Sequence, residues 1–323
     1  MRPFTHYDAH AVEEALTLLK RYNGRAVLNA GGTDLLSALK GEYLLHYPEA
    51  IINIKTIPDL AYIREDGDIL RIGALATLSD MARSPLLRER YNVLAEAAYS
   101  VATPQVRNMA TLGGNLCQDI RCWYYRYPRH IGGPIECLRK GNGPCLAATG
   151  DNRYHAIMGG KGCFAVCPSD TAVALAALNG RIKIVGTTGE RRVAVTDFFH
   201  PLGNELKRGE MVKEAEIPRI TGTTRQTFLK FTLRRPVDFA IVSVASVIAV
   251  PRGRCGDARI ALGAVGPAPV RATAAEEWLK GKPISEATAA AAAATAVAGA
   301  RPLRMNSYKV EIAKTLIKRA LTS

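Results

Sequence analysis

The sequence lacks any apolar run long enough to cross a membrane. Its longest such stretch, residues 287–300, is mostly alanine and falls short of the roughly 20 strongly apolar residues that a bilayer requires. The first residues also lack the apolar core of a secretion signal. We therefore expect a protein that has no membrane span and stays in the cytoplasm.

Acidic residues are scarce relative to basic ones. The chain has 43 Lys and Arg against 29 Asp and Glu, which gives a net charge of +14. The basic residues are scattered, and no basic stripe alternates with aromatic residues, so the pattern argues against a nucleic-acid partner. The charge is better suited to cofactor phosphates or to a partner protein with an acidic face.

The length of 323 residues is too great for one ordinary core, and the composition is that of a folded globular protein. We expect an α+β protein with three regions: 1–58, 59–220 and 221–323. The first region has a β-α-β pattern, in which Asp8 and Gly24 are candidate caps of the first helix. The last region has strands followed by three helices, which predicts a small antiparallel sheet covered by helices.

Elsewhere the hydrophobic periodicity predicts further elements. The predicted strands are 25–30, 51–54, 69–72, 181–185, 192–195, 211–217, 228–233, 241–250 and 260–265. The predicted helices begin near residue 12 and at Leu35, and others cover 77–98, with a break at Ser84-Pro85, and 169–178. Residues 118–163 show no sustained period, and we interpret them as an insertion.

Two glycine pairs, Gly31-Gly32 and Gly113-Gly114, are the first candidate binding motifs. Each is followed by Thr or Asn, and glycine in such a turn lets backbone N–H groups approach a pyrophosphate closely. Most Gly-Gly pairs are simply tight turns, and neither motif matches the Rossmann or P-loop pattern. Either pair alone is therefore weak.

A wider set of segments occurs in one order along nearly the whole chain. The set is 30–35, 110–116, Pro168-Ser169-Asp170, Gly209-Glu210, Lys230, Arg235-Pro236-Val237-Asp238-Phe239-Ala240 and 261–265. In these residues the chain resembles the FAD subunit of the xanthine dehydrogenase and carbon monoxide dehydrogenase family of molybdenum hydroxylases. The resemblance implies a vanillyl-alcohol-oxidase (PCMH)-type flavin fold of two subdomains, followed by a C-terminal domain.

The resemblance also implies which residues bind FAD. Two stretches would hold the diphosphate, Asp170 would contact the sugar, Val212 and Lys230 would lie near the flavin ring or the adenosine, and Thr103 would touch the flavin. By residue type, Asp170 could instead be a helix N-cap. The predicted cofactor residues are Leu28, Asn29, Ala30, Gly31, Gly32, Thr33, Asp34, Leu35, Thr103, Thr111, Gly113, Gly114, Asn115, Asp170, Val212 and Lys230. None of the residues has the pattern of a catalytic acid or nucleophile.

Six of the seven cysteines lie between positions 117 and 167. In a reducing cytoplasm, clustered thiols indicate metal ligation or redox chemistry before disulfides. The insertion that carries them resembles the cluster-bearing loop of 4-hydroxybenzoyl-CoA reductase, a member of the same family. That resemblance implies a [4Fe–4S] cluster. We predict Cys122, Cys137, Cys145 and Cys163 as its ligands, although the reductase has its fourth cysteine close to where Arg153-Tyr154 lies here.

The metal assignment leaves alternatives open. His155, Cys117 or Cys167 could replace Cys163 as the fourth ligand. A four-cysteine zinc site would order the loop equally well, although zinc sites usually pair cysteines two to four residues apart. The ligand spacing itself matches neither ferredoxin pattern.

The resemblance implies an electron-transfer subunit. Partner subunits would hold molybdopterin and two [2Fe–2S] clusters, assembled as a dimer of heterotrimers, and a ferredoxin-like carrier would dock on this chain. In 4-hydroxybenzoyl-CoA reductase, electrons run inward to remove a phenolic hydroxyl from an aromatic acyl-CoA. Alternatives are outward flow in a xanthine, aldehyde or heterocycle dehydrogenase, a stand-alone FAD oxidoreductase, and a non-catalytic metal-stabilised scaffold.

Overall fold

The structure is a computed structural model that describes residues 1–234 and 237–323. Arg235 and Pro236, which belong to one of the predicted family motifs, lie outside the described residues. None of the helices in the described ranges has the length and apolar content needed to cross a bilayer.

The first sheet has three parallel strands in the order β1-β3-β2. Its elements are β1 (Thr5–Asp8), α1 (Val12–Tyr22), β2 (Ala26–Asn29), α2 (Leu35–Gly41) and β3 (Ala50–Asn53). The predicted caps of α1 are wrong, because the N-cap is Ala11 and the C-cap is Asn23 with a φ of 45°. Asp8 instead ends β1, a strand that its mostly exposed residues did not predict.

The second sheet is antiparallel, with its strands in the order β4-β5-β10-β6-β7. The predicted helical stretch 77–98 forms three short helices. Thr77 caps the first, Ser84 caps the second at the predicted break, and the third begins after Tyr91 without a side-chain cap. The strands of this region are β4 (Ile63–Asp66), β5 (Ile69–Gly73), β6 (Arg181–Gly186), β7 (Gly189–Ala194), the short pair β8 (Phe199–His200) and β9 (Gly203–Asn204), and β10 (Glu210–Pro218). Its helices are α3 (Leu78–Arg83), α4 (Pro85–Arg90), α5 (Asn92–Tyr99), α6 (Pro104–Met109), α7 (Leu112–Cys117), α8 (Asp170–Ala177) and α9 (Val195–Phe198).

The cysteine-rich insertion leaves this region between α7 and α8. Its regular structure consists of three 3-10 turns at Arg129–Ile131, Leu138–Lys140 and Leu146–Ala148. A β-bridge between Arg121 and Val166 holds its two ends together. The segment therefore forms a closed loop, as the lack of periodicity predicted.

The third sheet is antiparallel, in the order β11-β12-β13-β14. Its strands are β11 (Arg225–Phe231), β12 (Val242–Ala249), β13 (Asp257–Gly263) and β14 (Val270–Arg271), and its helices are α10 (Thr273–Leu279), α11 (Glu286–Ala296) and α12 (Tyr308–Thr322). Helix α12 packs on this sheet, and α5 and α8 of the second region also contact it. The predicted antiparallel sheet with three helices is confirmed.

Candidate functional site

A cavity of about 710 Å³ is lined by residues of all three regions. The loop after β2 and the first turn of α7, which carry the two glycine pairs, both face it. All sixteen predicted cofactor residues line this one cavity. Its volume is within the range of small-molecule and cofactor sites.

The glycines allow the two loops to meet. A Cβ on Gly31 would lie 2.0 Å from the carbonyl oxygen of Met109, just ahead of the second motif, and one on Gly113 would lie 2.9 Å from Ala74 Cβ. Gly114 differs, because a Cβ there would meet only the Thr111 hydroxyl, at 3.1 Å. Close backbone packing therefore requires glycine at two of these positions, and at Gly114 the neighbouring space is open.

The two glycine motifs differ in their free hydrogen-bond donors. In the second motif, Leu112 N and Gly113 N donate to Ala76 O and Ala74 O, and Gly114 N donates to the Thr111 hydroxyl. In the first motif, the backbone N–H groups of residues 31–34 have no acceptor among the residues that the structure describes. The buried Asn29 Oδ1, beside them, also lacks a partner within the described ranges. The free N–H groups of the first loop are thus the donors that a bound diphosphate needs, whereas Asn29 Oδ1 can only accept a hydrogen bond.

Asp34 connects the first loop to the cysteine-rich insertion. Its carboxylate accepts hydrogen bonds from Arg121 Nη2 at 2.9 Å, from Arg126 Nη2 at 2.9 and 3.0 Å, and from Asp119 N at 2.9 Å. Burial alone would raise the pKa of Asp34, but the two arginines outweigh burial and hold that pKa below its usual value. The carboxylate is therefore engaged by the insertion, and the Arg121 side chain brings positive charge to the cavity wall.

Asp170 and Lys230 meet on another wall of the cavity. Lys230 Nζ lies 2.7 Å from Asp170 Oδ2 and also donates to Ser100 O at 3.0 Å. The N-cap of α8 is Ser169, whose side chain accepts from Ala172 N, so the alternative role of Asp170 as the cap is wrong. The ion pair joins the third region to the second at the site, and both side chains are buried.

The four predicted cysteine ligands all line a second cavity, which is much smaller, at about 10 Å³. The hydrogen bond between Cys163 and Cys145 lowers the pKa of Cys145 and raises that of Cys163, whereas burial raises the pKa of Cys122 to about 11. Of the alternative ligands, Cys117 faces the larger cavity instead. Among the described residues, no set of three or more His, Cys, Asp or Glu side chains has the arrangement of a bound metal ion.

The two cavities are neighbours. Arg121 lines the larger one and Cys122, the next residue, lines the smaller one. Consecutive Cα atoms are about 3.8 Å apart, so the two cavities border the same short stretch of the insertion.

Sequence reasoning missed the two arginines that bind Asp34. They lie on either side of Cys122 in the sequence, and this pair of basic residues next to a predicted ligand could have indicated a binding role. It also missed Phe239 as a wall of the larger cavity, where its ring lies 4.0 Å from the Arg121 guanidinium.

Comparison with known families matches both halves of the chain. Residues 2–220 match the FAD binding domain in molybdopterin dehydrogenase, and residues 227–323 match the CO dehydrogenase flavoprotein C-terminal domain. These two matches together cover nearly the whole chain.

Individual relatives match over almost their full length. The aldehyde oxidoreductase FAD-binding subunit PaoB of Escherichia coli is 32% identical over 99% of this chain and 98% of its own. Among solved structures, carbon monoxide dehydrogenase from Hydrogenophaga pseudoflava has a TM-score of 0.79 at 29% identity, covering 100% of this chain and 98% of its own. Quinoline 2-oxidoreductase from Pseudomonas putida 86 has a TM-score of 0.76 at 27% identity, covering 99% and 96%. The predicted fold is confirmed by these likenesses.

Proposed function

Because the chain belongs to the family of FAD-binding subunits of the molybdopterin dehydrogenases, we propose that it relays electrons between molybdenum-containing partner subunits and an external carrier. It is an oxidoreductase subunit that binds FAD. When bound, FAD can take up and release electrons either singly or in pairs, which suits a relay. The proposal rests above all on the 710 Å³ cavity that all sixteen predicted residues line.

Within that cavity, we assign the FAD diphosphate to the loop after β2. The free N–H groups of residues 31–34 would donate to phosphate oxygens, and the Arg121 guanidinium would offset their charge. The second glycine pair forms part of the cavity wall but offers no free donors, since its N–H groups already donate hydrogen bonds within the protein. Asp170 and Lys230, bonded to each other, would meet the cofactor's polar groups on the far wall.

For the smaller cavity, we propose a [4Fe–4S] cluster bound by Cys122, Cys137, Cys145 and Cys163. The support is that these four thiols share one cavity, and soft thiolates are the usual ligands of iron–sulfur clusters. About 10 Å³ holds little more than a water molecule, so the thiols must move apart to admit the cluster. The insertion is held mainly by turns, which adjust more readily than helices.

The relatives favour outward electron flow. Subunits named for aldehyde oxidation, carbon monoxide oxidation and nicotinate dehydrogenation match this chain over most of its length. We therefore propose that the complex oxidises an organic substrate, with an aldehyde as the first candidate. Reduction of 4-hydroxybenzoyl-CoA is the second candidate, favoured by the resemblance of the cysteine-rich insertion alone.

The partners follow from the same proposal. A large molybdopterin subunit and a small [2Fe–2S] subunit would assemble with this chain as a dimer of heterotrimers. A ferredoxin-like carrier would dock near the insertion. The net charge of +14 suits partners whose contact faces are acidic.

The cofactor proposal is tested on this chain purified without oxygen. We expect one FAD and about four irons per chain, and little zinc. Cys145→Ser should lose most of the iron, whereas Cys255→Ser, which changes a buried cysteine outside the insertion, should keep it. One zinc per chain, or iron unchanged by Cys145→Ser, would overturn the cluster but leave the flavin site standing.

The direction of flow is tested on the assembled complex. Aldehydes should reduce an artificial acceptor, and a low-potential donor should not drive dehydroxylation of 4-hydroxybenzoyl-CoA. If the low-potential donor drives dehydroxylation of 4-hydroxybenzoyl-CoA and aldehydes do not reduce the acceptor, the complex is instead a reductase of 4-hydroxybenzoyl-CoA.

A further inference from the structure

His155 is a buried side chain of the insertion that the cluster proposal does not use. Its Nε2 lies 3.2 Å from Cys122 Sγ, and it is not among the residues that line the four-cysteine cavity. Its exposed fraction is 2%, and its Nδ1 has no hydrogen-bond partner in the described part of the chain. The imidazole therefore contacts one proposed ligand through a single nitrogen without lining the cavity itself.

The position of His155 is held from several sides. Asn306 Nδ2 and Lys309 Nζ, at the start of α12, donate to the His155 carbonyl oxygen at 3.1 and 3.0 Å. The imidazole ring packs against Trp123, with the ring centroids 5.4 Å apart. The contact with sulfur is thus built by the third region of the chain as well as by the insertion.

We propose that His155 is a positioning residue that donates a hydrogen bond from Nε2 to the Cys122 thiolate and raises the reduction potential of the cluster. This inference rests on the proposed [4Fe–4S] site. A cysteine that binds iron has no proton to donate, so the hydrogen between the two atoms must come from Nε2. Hydrogen bonds to cluster sulfurs stabilise the more negative, reduced state, and they are one of the means by which proteins set cluster potentials.

The competing role is that of an iron ligand in place of Cys163. The placement disfavours it, because Cys163 lines the cavity and His155, which contacts Cys122, does not. The two roles predict different results when the nitrogen is removed. A ligand is needed for iron to bind, whereas a donor is needed only for the potential.

The test uses His155→Phe, which keeps an aromatic ring, and His155→Gln, which restores an N–H donor. Iron and FAD per chain and the cluster midpoint potential would be measured by electron paramagnetic resonance during redox titration of the assembled complex. We expect full iron and FAD in both variants, a more negative potential in His155→Phe, and a return toward the unmodified value in His155→Gln. Cys163→Ser should instead lose iron.

Three outcomes would overturn the inference. An unchanged potential in His155→Phe with full iron would remove the role of the hydrogen bond and leave the cluster intact. Iron loss in both His155 variants would make His155 a ligand. Absence of iron in the unmodified chain would overturn the cluster together with this inference.

A measurement on the unmodified chain covers the case in which His155→Phe does not fold. Histidine labelled with ¹⁵N should give a weak nitrogen coupling to the reduced cluster in pulsed paramagnetic resonance. A strong coupling would indicate ligation, and no coupling would indicate that the contact with Cys122 is absent. Either result would contradict the proposed donor.

Discussion

Gly31 and Gly114 both belong to the predicted glycine motifs, but the space around their Cα atoms differs. A Cβ on Gly31 would overlap the Met109 backbone, whereas one on Gly114 would meet only a hydroxyl. We expect Gly31→Ala to lower the free energy of unfolding by about 2 kcal/mol, because a backbone must move. Gly114→Leu should leave folding nearly unchanged and weaken FAD binding by roughly tenfold or more, because its side chain would enter the cavity.

Urea denaturation and FAD content would separate the two effects. Gly299→Leu is a suitable control, because a side chain at that surface position meets no other atoms. Normal FAD content in Gly114→Leu would show that this motif does not border the cofactor.

Asp34 predicts a pH-dependent loss of stability. Its pKa is lower in the folded protein than its usual value of 3.8, so its contribution is present above that value and is lost as the pH falls through the folded-state pKa. Asp34→Asn should therefore cost about 2 kcal/mol at pH 7, and the difference from the unmodified chain should shrink below about pH 3.8.

Urea denaturation at several pH values would measure that difference. Asp68→Asn is the matched control, because the Asp68 side chain is almost fully exposed. A stability difference that stays constant down to pH 3 would show that the charge of Asp34 does not stabilise the fold.

The residues predicted for the candidate site gather around shared cavities, whereas their hydrogen-bond partners were not predicted. Repeated glycine pairs and clustered cysteines are rare enough to be noticed, and the structure brings each set together around one cavity. The pairing of Asp34 with Arg121 and Arg126 spans 87 and 92 positions. Local patterns carry no information about such pairs, because only the folded chain brings them into contact.

At the level of elements, buried segments were predicted well and exposed ones poorly. Helix α8 and strand β10, both largely buried, were predicted to within one residue at each end. Strands β1 and β4 were missed, because most of their residues are exposed and they show no apolar alternation. Their pairing is set by neighbouring strands rather than by their own sequence.

Helix α12 fixes the insertion through Lys309. Its buried ammonium group donates to the carbonyl oxygens of Tyr154, His155 and Ala264 at 3.3, 3.0 and 2.6 Å. Lys309→Met would leave these acceptors unpaired, so we expect a loss of about 3 kcal/mol in the free energy of unfolding and faster proteolysis within the insertion.

Lys314→Met, on the same helix, should have little effect, because Lys314 pairs with Glu311 at the surface. Proteolysis followed by mass spectrometry would locate the cleaved bonds. Equal cleavage of the insertion in both variants would show that Lys309 does not anchor it.

In the whole molecule, the second and third regions share one apolar core. Phe228, Ala245 and Ala261 of the third sheet belong to the same cluster of buried residues as helices α5 and α8. The Lys230–Asp170 ion pair and a hydrogen bond from Phe228 N to Glu96 Oε2 cross the same boundary. The domain boundary at residue 220 therefore stays a prediction. In the structure, the regions before and after it pack together in one core.

This shared core predicts that residues 1–220 do not fold alone. All eight residues of α8 are buried, and removal of the third sheet would expose one side of that helix to water. We expect a chain ending at residue 220 to aggregate or to bind a hydrophobic dye, and co-expression of residues 221–323 as a separate chain to restore solubility and FAD content. The break lies beside residues 221–223, which are exposed, so cleavage itself disturbs little packing. A soluble 1–220 fragment with normal FAD content would show instead that the flavin site is independent of the third region, and that Lys230 is dispensable for it.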